Sequence, residues 1–311
     1  MSTKLDKTIA RSQEKIAEGL FYEAHQGIRT VAARYIRAKS YNEAIQVLYS
    51  GAEALLKADQ AGSASDLTSY LIDTYNISET KVDSTSRARI IQLLMLFDHS
   101  EPTLKRIGQE SIAWSSKFGP LPQGDSELHH VLGSIYAKDN EAYEAEKHLL
   151  LGTKESPEIL ANLLFEWSQE DPEAENNAPL YMARGVLGYL ALGDIRDAKK
   201  ISKVFIAKFI QTTGSSPKSF NAFDDESGNS TIYIFPKAPI FDFLQLLIIT
   251  CQTKSTEMYQ RLHGRYINVV SVIDAFKSPV SKIAEIFFGI KPVRQANMLQ
   301  DLMGSLFGGS N

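Results

Sequence analysis

The 311-residue chain lacks a membrane-length apolar run. Its most hydrophobic stretch, FDFLQLLIITCQTK at Phe241–Lys254, falls short of the roughly 20 apolar residues that a bilayer span needs. Cysteine is almost absent. The single Cys251 cannot form an internal disulfide, which fits a reducing cytosol or nucleus and removes cysteine-based zinc sites. No sign of charge dominates: the formal net charge of −4 gives no case for general nucleic-acid binding. The first residues, MSTKLDKTIARSQEK, are polar and charged, so no signal peptide is expected.

Catalytic signatures are missing as well. There is no glycine-rich phosphate loop or dinucleotide fingerprint, no His-Glu-x-x-His and no Gly-x-Ser-x-Gly elbow. His129 and His130 are adjacent, so on a helix they point about 100° apart and cannot easily share a metal. His148 could approach one of them, but a surface histidine is the expected reading. Cys251 has no basic neighbour to activate it. Asp224, Asp225 and Glu226 form an acidic turn without calcium-loop spacing. An enzyme is therefore not expected, and no cofactor or metal is implied.

What the chain does contain is helix. The composition, 43% hydrophobic and 23% charged, suits a folded chain long enough for one extended core or two domains. Residues 4–19 read as an amphipathic helix, with Leu5, Ile9, Ile16 and Leu20 on one stripe and Lys4, Lys7, Arg11 and Lys15 in a basic row. A cadence follows. A polar or glycine turn, a bulky residue and an alanine recur at Gly19–Ala24, Lys39–Ala44, Asn140–Ala145 and Gly193–Ala198. Alanine at that point lets two helices cross closely. This is the grammar of tetratricopeptide-like helix hairpins, in degenerate form. Ser63–Asp66 matches a capping box, and Ser156-Pro157-Glu158 a helix start.

The fold expected is all-α: an irregular right-handed α-solenoid of such hairpins, with one β-hairpin inserted near 219–236. The hairpin rests on Phe220 and Phe223, a turn at Glu226–Asn229 and the β-prone run Thr231–Phe235. Two functional halves are expected, 1–155 and 156–311, without an evident linker. Phe241–Lys254 is apolar nearly all round, so it reads as an internal helix at the centre of the second half. Helices at about 255–276 and 279–289 follow. A final apolar face, Met298, Leu299, Leu302, Met303, Leu306 and Phe307, reads as a terminal cap. It lacks the basic flank that helps a membrane-surface helix bind.

Charge is uneven. Residues 1–39 hold eight basic and four acidic residues, a local +4 on a chain of net −4. A basic end on an acidic protein suggests an electrostatic docking face, although solvated helix faces give the same text.

Several segments, taken in order, resemble one family. They are AHQGIRTVAARYIRAKSY at 24–41, Asp66-Leu67 with Tyr70-Leu71, LHHVLGSIYAKDNEAYEAEKHLLLGT at 128–153, FLQLLIITCQTK at 243–254 and NMLQDLMGSLFGGS at 297–310. Together they look like the Get-four family, called TRC-thirty-five in animals. Residues 212–230 depart from the family text. The resemblance implies a cytoplasmic α-helical scaffold without enzymatic activity, serving delivery of tail-anchored membrane proteins to the endoplasmic reticulum. It implies that the first half binds a targeting ATPase (Get-three type). The second half would bind a ubiquitin-like adaptor (Get-five type), which brings in a client-bearing co-chaperone.

By position in the matching motifs, the resemblance assigns Tyr22, His25, Arg29, Arg34 and Arg37 to an ATPase-anchoring face, and Asp66 to control of the ATPase. Each has a structural alternative. Tyr22 could be core, Arg34 could pair with a nearby acid, and Asp66 could cap its own helix. For the adaptor face the hairpin and the apolar helix nominate Ile232, Tyr233, Phe235, Phe243, Leu247 and Phe287. A competing reading is a generic tetratricopeptide-like scaffold subunit of a larger cytosolic complex. Such subunits typically end in a winged helix, which nothing after residue 255 resembles.

Overall fold

The computed structural model describes residues 4–98, 101–213, 220–224 and 231–291. The acidic turn beyond Asp224 and the final apolar segment around 294–307 lie outside the described residues. Among those described, the chain is all-α apart from one two-stranded antiparallel sheet. It separates into two compact units, Met1–Leu163 and Leu164–Asn311.

The first unit contains α1 (Lys4–Ala17), α2 (Phe21–Arg37), α3 (Tyr41–Lys57), α4 (Ala61–Ile77), α5 (Ser84–Leu96), α6 (Leu104–Phe118), α7 (Ser126–Lys138) and α8 (Ala142–Leu149). Within it α1, α3, α5 and α7 pack in series, and so do α2, α4 and α6. The unit is therefore two layers of stacked hairpins.

The cadence has a backbone cause. Each of α2, α3 and α4 is 17 residues long, and a three-residue turn precedes each. In each turn one residue adopts the left-handed region: Gly19 (φ 79), Lys39 (φ 57), Asp59 (φ 56), Glu79 (φ 52), and later Asn140 (φ 58) and Gly193 (φ 82). The next residue donates its N–H back five residues, as Ser40 does to Tyr35 O and Gln60 to Leu55 O, each at 2.9 Å. This Schellman closure satisfies carbonyls that a helix end leaves open. Five residues after the left-handed position comes a fully buried alanine in every case but Glu79, which is followed by Ser84: Ala24, Ala44, Ala145 and Ala198 as expected, and also Ala64.

That last instance corrects one expectation. Ser63–Asp66 is not a capping box. Its helix starts at Ala61 with Gln60 at the N-cap, so Ser63 and Asp66 lie inside it. A capping box does occur one helix later. Asp83 accepts from the Thr85 and Ser86 backbone N–H groups at 2.8 Å, and Ser86 Oγ accepts the Asp83 N–H at 2.9 Å.

Helix α9 (Ser156–Gln169) spans the division between units. The second unit continues with α10 (Ala174–Ala191), α11 (Ile195–Thr213), β1 (Asn221–Asp224), β2 (Thr231–Ile234), α12 (Pro239–Thr253), α13 (Thr256–Val270) and α14 (Asp274–Phe288). The strands pair antiparallel, with Asn221 opposite Ile234 and Asp224 opposite Thr231. Helix α12 packs against α10, α11, α13 and β2, which explains its apolar circumference. Phe241, Phe243, Leu244, Leu247 and Cys251 are all fully buried. The break expected between about 276 and 279 falls instead at Ser271–Ile273. Pro279 is the sixth residue of α14, where it removes a single early hydrogen bond.

Candidate docking faces

Helices α1 and α2 enclose a groove of about 450 Å³. Lys4, Lys7, Arg11 and Lys15 line it from α1, and Gly27 and Val31 from α2. Steps of three and four residues put the four cations on one side of the helix. Lys15 is engaged by Glu23 at 3.0 Å. Arg34 and Arg37 stand exposed in the last turn of α2 and make no ion pair among the described residues. Pairing of Arg34 with a nearby acid is thus not what the fold uses. Tyr22 is 75% exposed, which removes the core explanation for it.

His25 and Arg29 are one turn apart on α2 and converge on Asp66 of α4. His25 Nε2 lies 2.8 Å from Asp66 Oδ2, and the Arg29 guanidinium donates to the same oxygen. The guanidinium carbon also sits 5.3 Å from the ring centre of Tyr70, one turn after Asp66. Partial burial alone would raise the Asp66 carboxyl. The bonds from Arg29 and His25 outweigh it and hold the group below the usual carboxylate range. Asp66 is therefore a cross-helix acceptor and does not cap its own helix.

The same grip recurs one hairpin later. Ser65 and Ser69 of α4, again one turn apart, both accept from Arg106 of α6, at 3.1 and 2.7 Å. Glu110 completes the set, accepting from Arg106 at 2.9 Å and from Ser69 Oγ at 2.7 Å. Sequence reasoning missed this cluster. The signal was there: residues i and i+4 meet a partner 41 and 37 positions further on in both cases.

The histidines depart from expectation. His148 is buried, with its Nδ1 2.9 Å from Nδ1 of His129. His129 Nε2 lies 3.0 Å from the Gln123 carbonyl, so it carries the proton there and Nδ1 is left as acceptor for His148. Burial, then the neighbouring His129, pushes His148 down to about 4. Burial lowers His129 too. His130 is separate, bonded to Ser156 Oγ at 2.8 Å. Among the described residues no group of His, Cys, Asp or Glu side chains is arranged to hold a metal ion. Burial raises the Cys251 thiol to about 12, which leaves it unreactive.

In the second unit α12 fastens the hairpin. Gln245 Oε1 accepts the Tyr233 N–H at 3.0 Å, and Gln245 Nε2 donates to the Tyr233 carbonyl at 2.7 Å. Asp242 accepts the Phe235 N–H at 2.7 Å. These bonds occupy the edge of β2 away from β1. Of the residues nominated for the adaptor face, Ile232, Tyr233 and Phe287 are half-exposed. Phe235, Phe243 and Leu247 are buried, which corrects their assignment to a surface. Phe243 stacks against Tyr266, and Phe235 joins a ring cluster with Phe209, Phe220 and Phe241. The sequence missed Phe223 of β1, which is exposed.

No helix among the described residues is long and apolar enough to cross a membrane. The family described as Golgi to ER traffic protein 4 matches residues 38–307. The chain is 43% identical over 325 aligned positions to Golgi to ER traffic protein 4 of Aspergillus fumigatus, covering 100% of this chain and 92% of that protein. It is 32% identical to the Schizosaccharomyces pombe protein of the same name, covering 98% of this chain and 96% of the relative. The crystal structure of C. therm. Get4 superposes with a TM-score of 0.88 at 39% identity, covering 99% of this chain and 97% of that one.

Proposed function

The chain belongs to the Golgi to ER traffic protein 4 family, and from that premise we propose a non-catalytic cytoplasmic scaffold for handing tail-anchored membrane proteins to a targeting ATPase. The first unit engages the ATPase and the second engages a ubiquitin-like adaptor. The observation that carries this reading is the unneutralised basic surface of α1 and α2. Lys4, Lys7 and Arg11 line an open groove, and Arg34 and Arg37 are exposed without ion pairs among the described residues. Cations left open in this way suit an acidic patch on a partner, where they raise the association rate more than the lifetime of the complex. The adaptor side is carried by Ile232, Tyr233, Phe223 and Phe287. Their exposed apolar surface fits a dry, long-lived contact.

The test is affinity capture of the tagged chain from cytosol, read by mass spectrometry, beside Arg34→Glu/Arg37→Glu. Wild type recovers an ATPase and a ubiquitin-like protein. The double variant keeps the second and loses the first. Loss of both together, or recovery of neither by wild type, overturns the two-faced scaffold.

A further inference from the structure

We propose that Asp66 is an internal competitor for the basic face: its carboxylate occupies His25 and Arg29 until an incoming acidic group replaces it. The proposal rests on the docking role of that face and specifies how it is regulated.

The geometry is that of a pre-occupied receptor. His25 and Arg29 donate from one helix into a single oxygen, Asp66 Oδ2, on the next hairpin. An acidic side chain from a partner would seek the same two donors. The ring of Tyr70 keeps the guanidinium in place beneath the pair. The cluster is also reachable, since the Arg29 and Asp66 side chains are 41% and 43% exposed. A pair exposed to that degree is weakly held, so an external carboxylate can exchange with it.

Displacement has two consequences. Arg29 joins Arg34 and Arg37 as a cation open to the partner. Asp66, freed, presents a negative charge at the same spot. Weak or isolated carboxylates do not displace it, whereas a cluster of them does. The contact therefore filters for strongly acidic partners.

The probe is a fluorescent polyglutamate peptide titrated at low salt into the full chain, which involves no ATPase. Five forms are compared: wild type, Asp66→Asn, Asp66→Ala, Asp59→Asn and Asp66→Asn/Arg29→Gln. Asp59→Asn removes the same charge from an exposed turn, where asparagine tolerates the left-handed backbone. Asp66→Ala serves as a second removal, with thermal melts confirming that each variant folds. Asp66→Asn binds about threefold more tightly than wild type, clearly more than Asp59→Asn, and the gain disappears with Arg29→Gln. Equal gains for the two asparagine variants overturn the proposal. So does a gain that survives Arg29→Gln, or a failure of Asp66→Asn to bind the peptide. A wild-type chain that captures no ATPase would sink the docking role while leaving this peptide comparison intact.

Discussion

At the scale of single residues, the fold buries two histidines, one of which, His148, is expected at the surface from the sequence. His129 and His148 share one hydrogen bond and are both held neutral by burial. The ordinary histidine value of 6.5 applies to His148 once the chain unfolds, against about 4 in the fold. Between those values the unfolded chain binds a proton that the folded chain refuses. Stability from this source is thus complete above pH 6.5 and is lost as the pH falls towards 4. Melting curves at pH 7 and pH 4.5 are expected to differ by about 2 kcal/mol from His148 alone. In His148→Gln, which can still donate to His129 but does not titrate, that difference shrinks. An undiminished acid loss in the variant would remove the pair from the account. The sequence favoured a surface position for His148 because residues 19 apart meet only through the turn between α7 and α8.

At the scale of elements, the repeating unit is a helix plus a left-handed closing residue. Glycine fills that position at Gly19 and Gly193, but Lys39, Asp59 and Glu79 hold it with side chains that disfavour the conformation. Replacing all three with glycine is expected to raise stability by about 0.5–1 kcal/mol per site, after allowing for glycine's freer unfolded chain. A lowered melting temperature in Lys39→Gly/Asp59→Gly/Glu79→Gly would show that these side chains contribute more than their backbone strain costs. The alanine five residues on was legible because it is a composition signal in fixed register. The two-pronged grip of His25 and Arg29 on Asp66, repeated by Ser65 and Ser69 on Arg106, was not read. Each member taken alone is an ordinary polar residue on a helix. Only the shared spacing of 41 and 37 residues exposes the pattern, and that spacing is the length of one hairpin with its turns.

At the scale of the whole molecule, the two proposed docking faces belong to different units and differ in chemistry. The local +4 lies at residues 1–39, while the exposed Phe223 and the half-exposed Ile232, Tyr233 and Phe287 belong to the second unit. The two partners proposed above, bound through such different chemistry, respond differently to salt. Raising ionic strength well past 0.1 M, where the screening length is already about 10 Å, is expected to weaken capture of the ATPase-class partner several-fold and leave the ubiquitin-like one nearly unchanged. Association rates measured across a salt series provide the check. Parallel weakening of both partners would mean that the division of labour between units is wrong.

The sequence by itself determined the helices, the turns that close them, the internal place of α12 and the basic character of the first 39 residues. Each is encoded locally, in spacings of three to five residues and in the run of charge along the chain. Only the tertiary structure decided what those helices present. Asp66 faces His25 and Arg29 from another hairpin. Phe235, Phe243 and Leu247 face their own unit's core, and Arg34 and Arg37 face outward. An apolar or charged side chain signals that it needs a partner. Whether that partner is the chain's own next hairpin or another protein depends on contacts about 40 residues away, which no local spacing records.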